Sequence, residues 1–169
     1  MSYVQVYTGN GKGKTTASLG LSLRAVCAGK KVFMGQFIKT VDYSELKAMD
    51  FLPNFEIKRF GKSSFIFGKP TQEDIEAAKN GLRELEKKIT SGNYDIVIMD
   101  EVNVAIHYNL LNVEEVINVL NNRAKNTEVV LTGRYAKNEI IEYADLVSEI
   151  KEVKHYYKTG VQARAGIEK

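Results

Sequence analysis

The sequence has few of the side chains that carry soft-ligand and nucleophilic chemistry: one cysteine, Cys27, and two histidines, His107 and His155, in 169 residues. A single thiol makes neither an internal disulfide nor a thiolate cluster, so a disulfide scaffold, a zinc site and a Cys/His nucleophile pair are poor readings. Tryptophan is absent, and no stretch approaches the roughly 20 apolar residues of a membrane span. The opening Met1-Ser2-Tyr3-Val4-Gln5-Val6 lacks the charged lead and apolar run of a secretory signal. Charge of one sign is scarce too: 24 Lys and Arg face 21 Asp and Glu, a formal +3 too dispersed to point to nucleic acid or a membrane. These absences predict a cytoplasmic protein that leaves the demanding chemistry to a bound molecule.

What is present is the ordinary balance of a folded soluble chain, 44% hydrophobic and 27% charged, which argues against disorder. The length predicts one domain over residues 1–169, since single cores hold roughly 100–200 residues. A short β-rich run over residues 4–7 ends at a glycine cluster, and a helix is predicted over 15–28 from Leu19, Leu21, Leu23 and Val26. A strand follows over 31–37. Residues 38–70 are less regular, with a short helix over 43–49, a strand over 55–60 and a loop over 61–68. Thr71 and Asp74 form a helix start signal, and Ile75, Ala78, Leu82, Leu85 and Ile89 then recur at spacings of three and four. An apolar strand over 94–99 ends in Asp100-Glu101; a helix over 113–122, a strand over 128–132, a helix over 137–143 and a strand over 146–150 complete the pattern. Strands alternating with helices predict an α/β fold: a single three-layer domain with a mainly parallel sheet and helices on both faces.

Between the first strand and the first helix stands Thr8-Gly9-Asn10-Gly11-Lys12-Gly13-Lys14-Thr15-Thr16. The spacing is that of the phosphate loop G-x-x-x-x-G-K-[ST], with Thr8 at the first glycine position. Glycines let successive N–H groups turn inward around an oxyanion, and the helix N-terminus adds partial positive charge. Lys14 supplies a point charge, and the Thr15 hydroxyl can ligate Mg²⁺. Asp100-Glu101 ends its strand where an acidic side chain reaches the metal of such a site, and either carboxylate suits the role. The fold expectation is therefore P-loop NTPase-like.

Together these segments resemble the corrinoid adenosyltransferases, which transfer adenosine from ATP to cobalt. The resemblance is carried by the loop from Tyr7 to Thr16, by Gln36-Phe37-Ile38-Lys39, by Asp100-Glu101 with Asn103, and by Leu131-Thr132-Gly133-Arg134. It continues through Ala144-Asp145-Leu146-Val147-Ser148-Glu149, Val153-Lys154-His155, Gly160-Val161 and Gly166-Ile167-Glu168. It implies that Thr8, Gly9, Asn10, Gly11, Lys12, Gly13, Lys14, Thr15 and Thr16 bind ATP, joined by Arg24 and Arg134. Lys14, Glu101 and Arg134 would serve the reaction, and Thr15 and Glu101 would hold Mg²⁺ or Mn²⁺ with Asp100 in support. Phe65, Phe67 and His155 would face a reduced corrinoid, cobalamin or a cobinamide type. A homodimer and a flavoprotein reductant are implied as well. Phe67 stands where the family commonly has tryptophan, and Arg164 where it has glutamine. The rival readings are a P-loop ATPase or small-molecule kinase acting on the γ-phosphate, and a nucleotide-gated module that delivers a finished cofactor.

Overall fold

A computed structural model describes residues 2–38, 44–61 and 70–168. Strands β1 (Val4–Thr8), β2 (Val32–Phe37), β3 (Phe55–Phe60), β4 (Ile96–Asp100), β5 (Glu128–Thr132) and β6 (Leu146–Glu149) form a sheet of order β3-β2-β4-β5-β1-β6. Every neighbouring pair is parallel, as the alternating pattern predicts. Helices α1 (Lys14–Cys27), α2 (Gln72–Thr90), α3 (Val102–His107), α4 (Val113–Asn121) and α5 (Asn138–Tyr143) cover its two faces. None of the described helices is long and apolar enough to cross a membrane.

The strands split their side chains between two cores, as a sheet covered on both faces must. Ile96, Ile98, Val130, Val32 and Met34 pack on the side of α1 with Ala25. Val97, Met99, Val129, Leu131, Phe33 and Phe37 pack with Leu82 and Leu85 of α2 and Val116 and Leu120 of α4. The start of α2 follows its signal in detail: Thr71 Oγ1 accepts from the Asp74 N–H at 3.2 Å, and Asp74 Oδ2 accepts from the Thr71 N–H at 2.9 Å. Gly81 lies on the buried face of that helix, where a Cβ would meet Phe60 side-chain carbons at 2.5 and 2.6 Å. Gly81→Ala is therefore expected to destabilise the fold by about 1–3 kcal/mol through overpacking, although alanine is the better helix former by about 1 kcal/mol. Urea denaturation of the two proteins checks the sign.

Two features depart from the expectations. The fully buried positions of α1 after Lys14 are Ser18, Ser22 and Ala25; Leu19, Leu21 and Val26 pack against the core only partly buried, and Leu23 is 51% exposed. Short side chains suit a helix whose approach to the sheet is fixed by the tight loop before it. The serines satisfy their hydroxyls on carbonyls of the same helix, Ser18 Oγ to Thr15 O at 2.8 Å and Ser22 Oγ to Ser18 O at 2.9 Å. The second feature is α3, which the sequence pattern did not predict, being too short for a periodicity to stand out. Residues 44–50 form a 3₁₀ helix (Ser44–Asp50) in place of the short helix predicted over 43–49. Tyr43, and the predicted loop from Lys62 onward with Phe65 and Phe67, lie outside the described residues.

Candidate active site: a phosphate cradle at the carboxyl edge of the sheet

Residues 9–13 leave β1 and enter α1 at the carboxyl edge of a parallel sheet, the edge at which such folds place ligands. Gly9 has φ 99°, and a Cβ there would stand 2.4 Å from the Ile150 carbonyl oxygen. Glycine is required on both counts. The Gly11 N–H donates to that same carbonyl at 2.7 Å, and the Ile150 N–H donates to Thr8 O at 2.8 Å. The cradle thus leans on the backbone just beyond β6, a buttress that carries no side-chain motif.

Lys14, the first residue of α1, is buried, and its Nζ donates to the Gly11 carbonyl at 2.7 Å. Burial pushes its pKa below that of an ordinary lysine; Glu101 opposes the shift, Arg134 reinforces it, and Asp100 opposes it more weakly. A triphosphate would favour the ammonium form, so ATP binding is expected to take up protons on the alkaline side, at a pH lower than an ordinary lysine would require. Calorimetry of ATP binding in buffers of different ionisation enthalpy reads that uptake directly.

Asp100 closes β4 and is fully buried. Its Oδ1 accepts from Thr132 Oγ1 at 2.6 Å and Thr15 Oγ1 at 3.0 Å, and its Oδ2 accepts from Gln36 Nε2 at 3.1 Å. β5 lies between β4 and β1, so Thr132 at its end completes the link from the acidic strand to the phosphate loop. Glu101 follows in the left-handed region at φ 60°, its N–H donating to Thr132 Oγ1 at 3.0 Å. Non-glycine residues adopt that conformation rarely, and mostly where the surroundings impose it. Among the described residues no group of three His, Cys, Asp or Glu side chains could hold a metal ion. A hydroxyl and a carboxylate with phosphate oxygens are the donor set of Mg²⁺ bound beside a nucleotide.

A cleft of about 480 Å³ opens above this network. Gly11, Lys12, Gly13, Lys14, Thr15, Thr16, Glu101, Arg134 and His155 all line it, which brings most of the predicted residues to one place. Asp100 lies beneath as a buried support. Thr8 turns its hydroxyl to the Ala136 N–H at 3.4 Å. Asn10 lines a neighbouring hollow with Arg134, Tyr135 and Lys151. Arg24 is not brought in: it is exposed in the last turn of α1, ten residues and about 15 Å of helix beyond Lys14. His107 is exposed and stacks on Tyr135, ring centroids 4.2 Å apart. Gly133, at φ 129°, turns the chain so that Arg134 reaches the cleft, and Asn103 Nδ2 holds the Gly133 carbonyl at 3.4 Å.

The tail forms another wall. Gly166, Ile167 and Glu168 line the cleft, and Lys12 Nζ donates to the Ile167 carbonyl at 3.1 Å. Arg164 finds its use here: its backbone N–H and guanidinium both bond Glu168, at 2.8 and 3.1 Å, and Tyr156 OH also donates to that carboxylate. Arg164 and then Tyr156 pull the Glu168 pKa down to about 2.

The family model described as ATP:corrinoid adenosyltransferase BtuR/CobO/CobP matches residues 1–168. The chain belongs to this family. The corrinoid adenosyltransferase of Escherichia coli (strain K12) is 37% identical over 165 residues, 96% of this chain and 83% of the relative. The corrinoid adenosyltransferase CobA of Salmonella typhimurium (strain LT2) matches at the same identity and coverage. That of Pseudomonas aeruginosa is 32% identical over 96% of this chain and 81% of the relative. Sequence reasoning assigned no role in this adenosyltransferase site to Gln36, Glu45, Thr132 or the Ile150 backbone. For Gln36 and Thr132 a signal exists: each is a polar residue at or next to the carboxyl end of a strand, directly after buried apolar or glycine positions.

Proposed function

We propose that this corrinoid adenosyltransferase moves the 5′-deoxyadenosyl group of ATP onto the Co(I) of a reduced corrinoid and releases inorganic triphosphate, in the synthesis or salvage of adenosylcobalamin. The match of residues 1–168 to the family carries the reading. The chemistry balances without a protein nucleophile. Cobalt, as substrate, donates an electron pair to C5′ of the ribose; the Co–C bond forms, the C5′–O bond breaks, and the electron pair of that bond leaves with triphosphate. The protein's work is to orient the two substrates and to stabilise the leaving group.

The N–H groups of Gly13 and Lys14 bind the triphosphate at the start of α1, and the Lys14 ammonium neutralises charge as it develops. Arg134, which lines the same cleft, adds a second cation. The Mg²⁺ or Mn²⁺ that we assign to Thr15 and Glu101, with Asp100 behind them, supplies further charge neutralisation when bound. Thr15 and Asp100 already share a hydrogen bond of 3.0 Å, so the hydroxyl is oriented before any ligand arrives. Phe65, Phe67 and His155 are assigned to the corrinoid side; that His155 lines the cleft supports its part of the reading. We further propose that residues 1–169 work as one domain, within a cytoplasmic homodimer served by a flavoprotein reductant.

The rival is γ-phosphate chemistry, which the same cradle would support and for which Glu101 beside Asp100 would be suitably placed. Products separate the two. With ATP, Mg²⁺ and chemically reduced corrinoid, adenosylated corrinoid and triphosphate are expected in equal amounts. ADP as the sole nucleotide product, with no alkylated cobalt, would overturn the proposal.

A further inference from the structure

Gln36 interrupts the apolar run of β2 one residue before its end at Phe37 and is completely buried, an unusual place for an amide unless its polar atoms are used. Register puts it opposite Asp100. Its Nε2 donates to Asp100 Oδ2 at 3.1 Å and to Glu45 Oε1 at 3.3 Å, so both amide hydrogens go to carboxylates. That arrangement fixes which end of the amide is nitrogen, because an oxygen cannot face two carboxylates. Gln36 Oε1 then remains, buried and without a hydrogen-bond partner among the described residues. A buried acceptor of this kind calls for a donor that arrives with a ligand, and a hydrated divalent cation brings one in its bound water. Leucine at this position would remove the hydrogen bond from Gln36 to Asp100 Oδ2, and glutamate would set a third carboxylate between two others. Glu45, at the start of the 3₁₀ helix, lines the ATP cleft, so one side chain ties the floor of the site to its rim.

We propose that Gln36 is a positioning residue for the divalent cation. It fixes the rotation of the Asp100 carboxylate that orients Thr15, draws Glu45 to the same wall, and offers Oε1 to a cation-bound water. This rests on the assignment of a cation to Thr15 and Glu101. Partners that orient metal ligands in this way change metal affinity by about 10–100-fold when removed.

The test is ATP binding by calorimetry, titrated with Mg²⁺ and repeated in EDTA, for the wild type and Gln36→Leu. The variant is expected to need about tenfold more Mg²⁺ for half-maximal ATP binding, with its affinity for ATP in EDTA unchanged. A Mg²⁺ requirement equal to the wild type, or the same loss in both conditions, overturns the proposal; the second result is what a merely structural residue would give. If Gln36→Leu does not fold, Glu45→Ala decides, because it removes the second anchor of the amide from a half-buried surface position. A raised Mg²⁺ requirement then supports the proposal and an unchanged one overturns it. Wild-type binding that is indifferent to Mg²⁺ would overturn the cation assignment itself, a result visible before any variant is made.

Discussion

Lys14→Ala is expected to lower kcat/KM for ATP by about 10²–10³-fold, the usual effect of losing one donor aimed at developing negative charge. The geometry argues for the upper end. Lys14 is nearly enclosed, so its charge acts on the triphosphate through little water, whereas Arg134 lines the cleft from an exposed position. Free-protein stability should move the other way or stay level. Burial holds the lysine pKa down, meaning that the folded, ligand-free protein carries an ammonium that would be better solvated in the unfolded chain. That penalty is present at neutral pH and fades as pH rises through the depressed pKa toward the ordinary lysine value, so apoprotein stability rises across that window. Replacing Lys14 removes the penalty together with the bond to the Gly11 carbonyl. Thermal unfolding with and without ATP reads both parts: a wild-type midpoint that rises with ATP, and a variant midpoint that starts level or higher and does not respond. A variant that turns over like the wild type would mean that the loop does not hold the triphosphate.

The second large effect is expected at Gly9. Alanine there needs φ near 99°, outside the regions open to residues with a Cβ, and sets that Cβ 2.4 Å from the Ile150 carbonyl oxygen. The obstacle is backbone on the far side of the sheet edge, held by its own bond to Thr8, and cannot swing aside as a side-chain tip would. The loop must shift instead, and displacement of the order of 1 Å in substrate-positioning groups costs about 10²-fold in rate. Gly9→Ala is therefore expected to lose ATP binding while the sheet stays folded, checked by calorimetry alongside the far-ultraviolet circular dichroism spectrum. Gly13→Ala provides a comparison. It carries a positive φ of 126° but has nothing within 4 Å of the added Cβ, so it isolates backbone strain from collision.

Much of this architecture is legible in the sequence because local and global signals agree. The capping pair Thr71 and Asp74, the apolar runs ending at Asp100 and Thr132, and the glycine-lysine-threonine loop each mark an element boundary. The face of α1 was legible only in part: Leu19, Leu21 and Val26 do pack on the core, but the closest positions belong to Ser18, Ser22 and Ala25, and Leu23 points out. Not legible at all was α3, whose six residues begin from a left-handed Glu101 that no periodicity announces. At the site, the residues of the loop and of the acidic strand end were named by motif. The Ile150 buttress acts through main-chain atoms and leaves no residue type to recognise. Gln36 meets Asp100 only because β2 lies beside β4, and it meets Glu45 only because the 3₁₀ helix passes close to the end of β2. Arg24 shows the converse: the resemblance implies that it joins the ATP-binding residues, yet it stands ten residues along α1 from Lys14 and does not line the cleft.

The position of β1 in the sheet has a consequence for how the protein is made. The strand that carries the phosphate loop lies between β5 and β6, pairing Val4 with Val129 and Thr8 with Glu149. On a ribosome it emerges first, yet both its partners come more than a hundred residues later, while β2, β3 and β4 have each other within a shorter span. Closing such a long loop is slow, and contacts of this kind form late in folding. A nascent chain that ends before Glu128 can assemble the β3-β2-β4 half and still have no cradle. The strand partners of β1 and the Ile150 buttress of its loop therefore come only with the segment from Glu128 onward, about the last quarter of the 169 residues.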